Sequence, residues 1–345
     1  MKPLRVAIVS ETPDAWESAR RARAVAAALP LNEFVVEFVS PRQGSFAEWR
    51  RLTNLTSDVI HLADEWAVAY VGSLLAARRR VPFVCTVADY RREATWLRRR
   101  MEKFVYRRAA AVVANDPHVA ERRRAECGLT AAPPWDVLED RSLLPVPPTS
   151  DRATLCAELD VPLNARLIGT FGPLTASQNM RDVIWLEALL RLLYEDTYIV
   201  IVGAGPSLLA LRQFATAMHV EDRVRFMTEP AAFNRLVSQL TLYVDAARWS
   251  GPSTALYLAQ AAGIPVLAVD TPVRRRELAI ERSGYLFAEH DRAVLTRRCY
   301  KLLEDEGLRQ ALGSAGRDFA ASIQQAASAT AATWADMYRR AAAQS

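Results

Sequence analysis

Lysine is nearly missing from this chain. Of 44 cationic residues, only Lys2, Lys103 and Lys301 are lysines, and arginine supplies the rest. The formal charge of +5 permits anionic partners such as nucleotide phosphates or acidic lipid, without selecting one. Cysteine is equally sparse. Cys85, Cys127, Cys156 and Cys299 are far apart and form no Cys-x-x-Cys pair. That excludes a zinc ribbon or a disulfide framework and points to a reducing cytoplasm. The four histidines, His61, His118, His219 and His290, are scattered too, and no metal site or cofactor is implied. No apolar run approaches the roughly 20 residues that span a bilayer. The short apolar segment before Ser10 and Glu11 reads as a strand rather than a signal peptide. Helix-turn-helix, zinc-finger and RNP patterns are lacking, so nucleic acid is not an expected partner.

What is present is an alternation of strands and helices in a chain long enough for two domains. Strand candidates are Leu4–Ser10, Phe34–Ser40, Asp58–Leu62, Pro82–Val87 and Ala109–Ala114. Helical segments at Trp16–Leu29, Trp66–Arg80 and Arg91–Arg108 lie between them. Such alternation predicts an α/β domain with a parallel sheet covered on both faces. A proline-rich stretch, Arg141 to Arg152, reads as the interdomain linker. The pattern then repeats. Strands are expected at Arg166–Phe171, Tyr198–Gly203, Val224–Met227, Leu242–Val244 and Pro265–Val269. Helices are expected at Arg181–Tyr194, Ser207–Met218, Ala231–Gln239 and Ser253–Ala262. The Ala-rich tail, Ala320–Ala343, reads as helix. The expected domains are 1–145, a linker and entry at 146–165, a second domain at 166–320, and a C-terminal helix at 321–345 that packs back on the first domain.

Two segments of the second half suit an anionic ligand. Tyr198–Pro206 runs from a buried strand into a Gly203-Ala204-Gly205-Pro206 turn, where glycines allow close backbone approach and a helix start offers N–H groups. The plain alternative is an ordinary strand-to-helix turn, and no third glycine completes a dinucleotide fingerprint. Gly251-Pro252-Ser253-Thr254 opens the next helix, with Ser253 or Thr254 as N-cap. Its N–H groups suit a diphosphate, or the segment is only a cap.

Taken in order, Gly172 after a strand, Gly203–Pro206 and the stretch Ala247-Arg248-Trp249-Ser250-Gly251 through Gly263-Ile264-Pro265-Val266 resemble the nucleotide-binding half of the family 4 (group 1) glycosyltransferases. Upstream, Asp58–His61, Val81–Tyr90 and Glu102–Asn115 resemble segments of the same family. The resemblance implies a GT-B fold: two Rossmann-like domains with parallel sheets facing a central cleft. It implies transfer of a sugar, of the retaining type, from a nucleotide-sugar donor held by the C-terminal domain to an acceptor on the N-terminal side.

The same resemblance marks where the chain departs from its family. Pro173 and Gln178 occupy the positions of an Arg and a Lys that hold the donor phosphates. Ser250 and Leu258 replace two glutamates, the second of which holds the ribose, and Ala88 replaces a histidine. Arg181 and Arg248 are the candidate replacement cations. The donor-site set is therefore Gly172, Arg181, Gly203, Gly205, Pro206, Arg248, Ser250, Gly251, Ser253 and Thr254. Glu11, Asp14 and Asp89 are acceptor-side candidates, with caps or turns as their plainer roles. The alternative function is a catalytically inactive homologue acting as a binding or scaffold protein.

One charged segment stands apart. In Tyr90–Arg108, Leu97, Met101, Phe104 and Val105 fall on one helical stripe, among many arginines. This is either a domain helix with its stripe in the core or a surface helix docking on acidic membrane, which would place a cytoplasmic protein on the inner membrane face.

Overall fold

The computed structural model describes residues 2–10, 17–39, 56–63, 66–87, 95–129, 135–145, 148, 150–229, 231–248 and 251–344. The candidates Glu11, Asp14, Asp89 and Ser250 lie outside these, as do Ala88 and Trp249. The chain divides into two compact units. Met1–Pro145, Ser250–Pro252 and Ile323–Ser345 form the first; Val146–Trp249 and Ser253–Ser322 form the second.

The first unit holds strands β1 (Leu4–Val9), β2 (Phe34–Val39), β3 (Val59–Leu62), β4 (Phe83–Val87), β5 (Ala111–Ala114) and β6 (Trp135–Val137). They form one sheet in the order β2-β1-β3-β4-β5-β6, every pairing parallel. β3 and β5 are buried at every position, the signature of strands covered on both faces. The described helices of this unit are α1 (Glu17–Ala28), α2 (Trp66–Arg79), α3 (Trp96–Arg108), α4 (Pro117–Cys127) and a C-terminal helix at Ala327–Ala342. That last helix completes the core: Trp334, Met337, Tyr338 and Ala341 pack with Val6, Ile8, Val25, Val59, Val84 and Val113. Its two aromatic polar atoms are both satisfied. Trp334 Nε1 donates to Asp140 Oδ1 (2.8 Å), and Tyr338 Oη lies 2.8 Å from His61 Nδ1.

Two sequence expectations change here. Helix α3 begins at Trp96, where Thr95 caps it by accepting from Arg98 N; residues 91–94 of the expected helix lie outside the described set. Its apolar stripe is only partly in the core. Val105 is buried, Met101 and Phe104 are half-buried, and Leu97 is exposed. The expected linker also starts too early. Asp140–Leu143 is a 3-10 turn with Asp140, Arg141 and Ser142 buried, and Ser142 Oγ donates to Thr330 Oγ1 (3.1 Å).

The second unit holds β7 (Arg166–Phe171), β8 (Thr197–Val202), β9 (Val224–Met227), β10 (Leu242–Asp245), β11 (Val266–Val269) and β12 (Gly284–Phe287). Their order is β12-β11-β10-β7-β8-β9, again all parallel. Its helices are α5 (Arg152–Leu159), α6 (Met180–Leu190), α7 (Leu208–Ala217), α8 (Ala232–Leu236), α9 (Thr254–Ala261), α10 (Arg274–Glu277), α11 (Arg292–Glu304) and α12 (Glu306–Gln324). The C-terminal helix of the first unit is then α13. The strand order reverses between β7 and β10. The loops leaving the carboxyl ends of those two strands therefore flank the crevice where open α/β sheets bind ligands.

Candidate functional site

The loops at that switch point are bonded to each other. Arg248 N, after β10, donates to Ser177 O, after β7 (3.1 Å), and Asn179 Nδ2 donates to Ala246 O (3.1 Å). The β8 turn packs on the same β7 loop. Leu174 N donates to Ala204 O and Ser207 N to Leu174 O, both at 2.9 Å. This contact is what requires the glycines. A Cβ at Gly203 would sit 2.0 Å from the Gly172 carbonyl oxygen, and one at Gly205 would sit 2.6 Å from that of Leu174. The backbone that these glycines admit belongs to the protein itself. Pro206 is exposed beyond the turn, and the Ser207 N–H at the start of α7 is already engaged.

The signature loop enters α9 with Ser253 as N-cap, its Oγ accepting from Leu256 N (3.1 Å). Ser253 N donates to Glu277 Oε1 (2.7 Å). Thr254 is helical and fully buried, and Gly251 is buried as well. Behind the loop lies a buried ion network. Arg274 pairs with Glu277 and, at 3.0 Å, with Asp245 Oδ2 at the end of β10. Burial alone would push the Arg274 guanidinium down, but the two carboxylates outweigh it and hold it above its ordinary value. Gln260 ties α9 to the same place by donating to Glu277 O (2.9 Å). Two N–H groups that a helix start offers an anion thus serve the cap and Glu277 instead.

Cations remain at the rim. Arg248 is half-exposed, its Nε 3.6 Å from Glu289 Oε1. Asn179 Nδ2 also donates to Glu289 Oε1 (3.3 Å). Beside them His290 Nδ1 and Arg292 Nε meet the two oxygens of buried Asp182 at 2.8 and 2.7 Å. Arg181 is turned elsewhere: its guanidinium lies 5.0 Å from the Phe214 ring on α7. The structure therefore gathers Gly172, Gly203, Gly205 and Arg248 around one set of loops and gives Arg181 a different contact. Asn179, Asp182, Glu277, Glu289 and His290 lie among the same loops, and sequence reasoning did not name them. The only signal was the cluster Glu289-His290 after an apolar run, which has no periodicity to mark it.

The positions where the family keeps charge are filled in a characteristic way. Gln178 is buried and tucks under the turn; a Cβ at Gly172 would meet its Oε1 at 2.5 Å. Leu258 is buried within α9. Both side chains are interior packing at positions where the family resemblance implies donor-binding charge.

With this geometry in hand, the family follows. A model of the group 1 glycosyl transferases matches residues 151–319, and a model of the glycosyl transferase 4-like domain matches residues 4–138. The chain belongs to the group 1 glycosyltransferases and has their GT-B fold. Anabaena HepE, solved in complex with UDP-glucose, is similar with a TM-score of 0.76 at 16% identity, over 96% of this chain and 100% of that one. Sucrose-phosphate synthase from Thermosynechococcus elongatus is similar with a TM-score of 0.73 at 16% identity, over 99% and 100%. These two likenesses are of fold. A curated relative, N-acetyl-alpha-D-glucosaminyl L-malate synthase of Bacillus anthracis, is 24% identical over 142 residues, which are 41% of this chain and 37% of that protein's length. Matches to glycosyltransferase models in both halves favour the transferase reading over a scaffold role. No helix among the described residues is long and apolar enough to cross a membrane.

Proposed function

We propose that this protein moves a sugar from a nucleotide-sugar donor to an acceptor, and that its second unit holds the donor with Arg248 in place of the missing cations. The observation that carries this is the bond from Arg248 N to Ser177 O. It fixes Arg248 beside the Gly172–Gln178 loop, where relatives keep the Arg and Lys that this chain lacks. Glu289 balances Arg248 through a half-exposed 3.6 Å pair, and such a pair is loose enough to yield to a diphosphate at little cost. A guanidinium-phosphate bond contributes about 1.5–3 kcal/mol. Arg181 reaches phosphate only by leaving Phe214, which makes it the lesser contributor. Leu258 offers the ribose no acceptor, so base and phosphate carry recognition. The retaining outcome implied by the family relies on donor phosphate and on positioning rather than on a protein base.

The test is calorimetric titration with UDP, GDP, ADP and their sugars. UDP comes first because HepE structures hold UDP and UDP-glucose. One nucleotide sugar should bind, and Arg248→Ala should weaken it about tenfold or more, as expected for one charge-assisted bond. Silence from every nucleotide at millimolar concentration would refute the proposal.

A second reading concerns the acceptor. Trp96 and Leu97 on α3 are 73% and 50% exposed, and Arg99, Arg100, Arg107 and Arg108 are exposed on the same helix. Its one acid, Glu102, is buried and bonded to Arg98 and Arg123 at 2.8 and 3.0 Å. The outward surface is thus apolar and cationic, which fits the acidic lipid of a membrane carrying the acceptor. Co-sedimentation with phosphatidylglycerol vesicles but not phosphatidylcholine vesicles is expected, and Trp96→Ser with Leu97→Ser should abolish it.

A further inference from the structure

The first unit contains a buried polar group whose needs none of the described residues meets. Asn115 follows β5 at the carboxyl end of the sheet and is 4% exposed. Among the described residues, neither its Oδ1 nor its Nδ2 has a hydrogen-bond partner. A buried amide left unpaired is destabilising, and native proteins rarely retain one without a use. Asn115 lines a cavity of ≈ 10 Å³, room for about one water-sized group. His61, Thr86, Arg21, Asp140 and Trp334 line it too.

Those neighbours restrict the occupant. His61 is already bonded through both ring nitrogens, to Tyr338 and to Thr86 Oγ1 (2.6 Å). Trp334 gives its N–H to Asp140. Asn115 offers the cavity an amide donor and an amide acceptor, beside the Arg21 guanidinium and the Asp140 carboxyl. Arg21 disfavours a cation, and the Asp140 carboxylate that forms above pH about 7 disfavours an anion, so the fitting group is neutral and both donates and accepts. A hydroxyl meets all three conditions: size, neutrality and dual hydrogen bonding.

We infer that the Asn115 cavity is the subsite for one hydroxyl of a sugar or polyol acceptor. The assignment to the acceptor rests on the sugar-transfer reading; the hydroxyl chemistry rests on Asn115 and its neighbours. The cavity is too small for a pyranose ring, so one hydroxyl enters while the ring stays outside. Asn115 here is a positioning residue that fixes which hydroxyl faces the reacting centre.

The experiment is saturation-transfer difference NMR on the full chain, with D-glucose and glycerol as probes, alongside calorimetric titration with UDP. Wild-type protein should give a probe signal. Asn115→Leu, which fills the cavity with apolar bulk, should weaken probe binding about tenfold and leave UDP affinity unchanged. Asn115→Asp keeps the shape, loses the amide donor and should also lose signal; it carries the test if the Leu variant does not fold. If UDP is silent yet both variants lose the probe, the subsite stands and the transferase reading falls. Probe binding that is absent from wild type, or equal in the variants, overturns the subsite and leaves the cavity as a water site.

Discussion

Each unit is built on its own six-stranded parallel sheet, and the described residues at the carboxyl ends of the strands differ in how their polar groups are met. In the second unit the charged groups there pair with one another. Asp245, Arg274 and Glu277 close on one another, Asp182 is shared by His290 and Arg292, and the glycine turn is filled by the neighbouring loop. In the first unit an amide lines a cavity with no partner among the described residues. The contrast teaches that family shape and family chemistry are held by different residues. Backbone contacts such as Gly203 against Gly172 hold the loops together where Gln178 and Leu258 stand at positions for which the resemblance implies charge. A frame can thus outlast its original contacts, and the chemistry has to be sought where groups remain unsatisfied.

Changes on either side of this comparison should differ in size and kind. The largest effect expected is from Trp334→Ala, which empties a fully buried aromatic site and orphans Asp140; it should cost about 3–5 kcal/mol in urea unfolding. A loss under 1 kcal/mol would mean that α13 is not part of the first unit's core. Gly203→Ala should follow. Its methyl group would collide with the Gly172 carbonyl, and relief costs about 1–3 kcal/mol of backbone strain. Because the strain falls on the β7 loop, nucleotide affinity should drop with stability, and a variant that melts early yet binds normally would detach that loop from the site. Leu258→Glu restores the carboxylate that relatives use for ribose. It should tighten UDP binding by about tenfold while lowering stability, since the position is buried. Unchanged affinity would show that α9 no longer faces the nucleotide.

The smallest effect is a slope. Burial raises the Asp140 carboxyl to about 7, against the pull of the Trp334 hydrogen bond and the Arg21 charge. Folded protein then holds a proton that the unfolded chain has released, so this contribution is full below 3.8 and is lost as pH rises toward about 7. Burial lowers His61 to about 3. Its contribution is full above 6.5 and is lost as pH falls toward about 3. The two slopes oppose each other between 3.8 and 6.5. Asp140→Asn keeps an acceptor for Trp334 and removes one slope, so urea midpoints should climb with pH across this window more steeply than in wild type. Parallel profiles would dismiss the coupling.

The fold was legible because buried parallel strands are continuous apolar runs. β7 and β9 have the limits their sequences predict, and β8 differs only in starting at Thr197 and ending at Val202. Elements carrying other signals were missed. Helix α4 has little apolar character, and only its ends announce it: Asp116 accepts from His118 N and Val119 N, Pro117 opens the first turn, and Gly128 closes it with φ 58°. β6 is three residues long, too short for a period to show. The Ala-rich tail reads as one helix, whereas α12 ends at Gln324 and α13 starts at Ala327. The glycine turns and the Ser253 cap were readable as local chemistry. The network that holds them was not, because Arg274 and Glu277 share one short helix while Asp245 ends β10, and the fold alone brings that carboxylate to them. Asn115 carried no signal either, since an orphaned amide is a property of its surroundings.

Helix α13 has a consequence for how the chain is made. The first unit's strands leave the ribosome early, yet Trp334 and Tyr338, which fill their core, follow roughly 190 residues after Pro145. At bacterial or eukaryotic synthesis rates that gap lasts roughly 10–40 seconds. Throughout it, a nascent sheet carries an uncovered apolar patch where α13 will dock. The earlier half must therefore wait for the later one, and the order of synthesis is the reverse of the order in which the two domains can be finished.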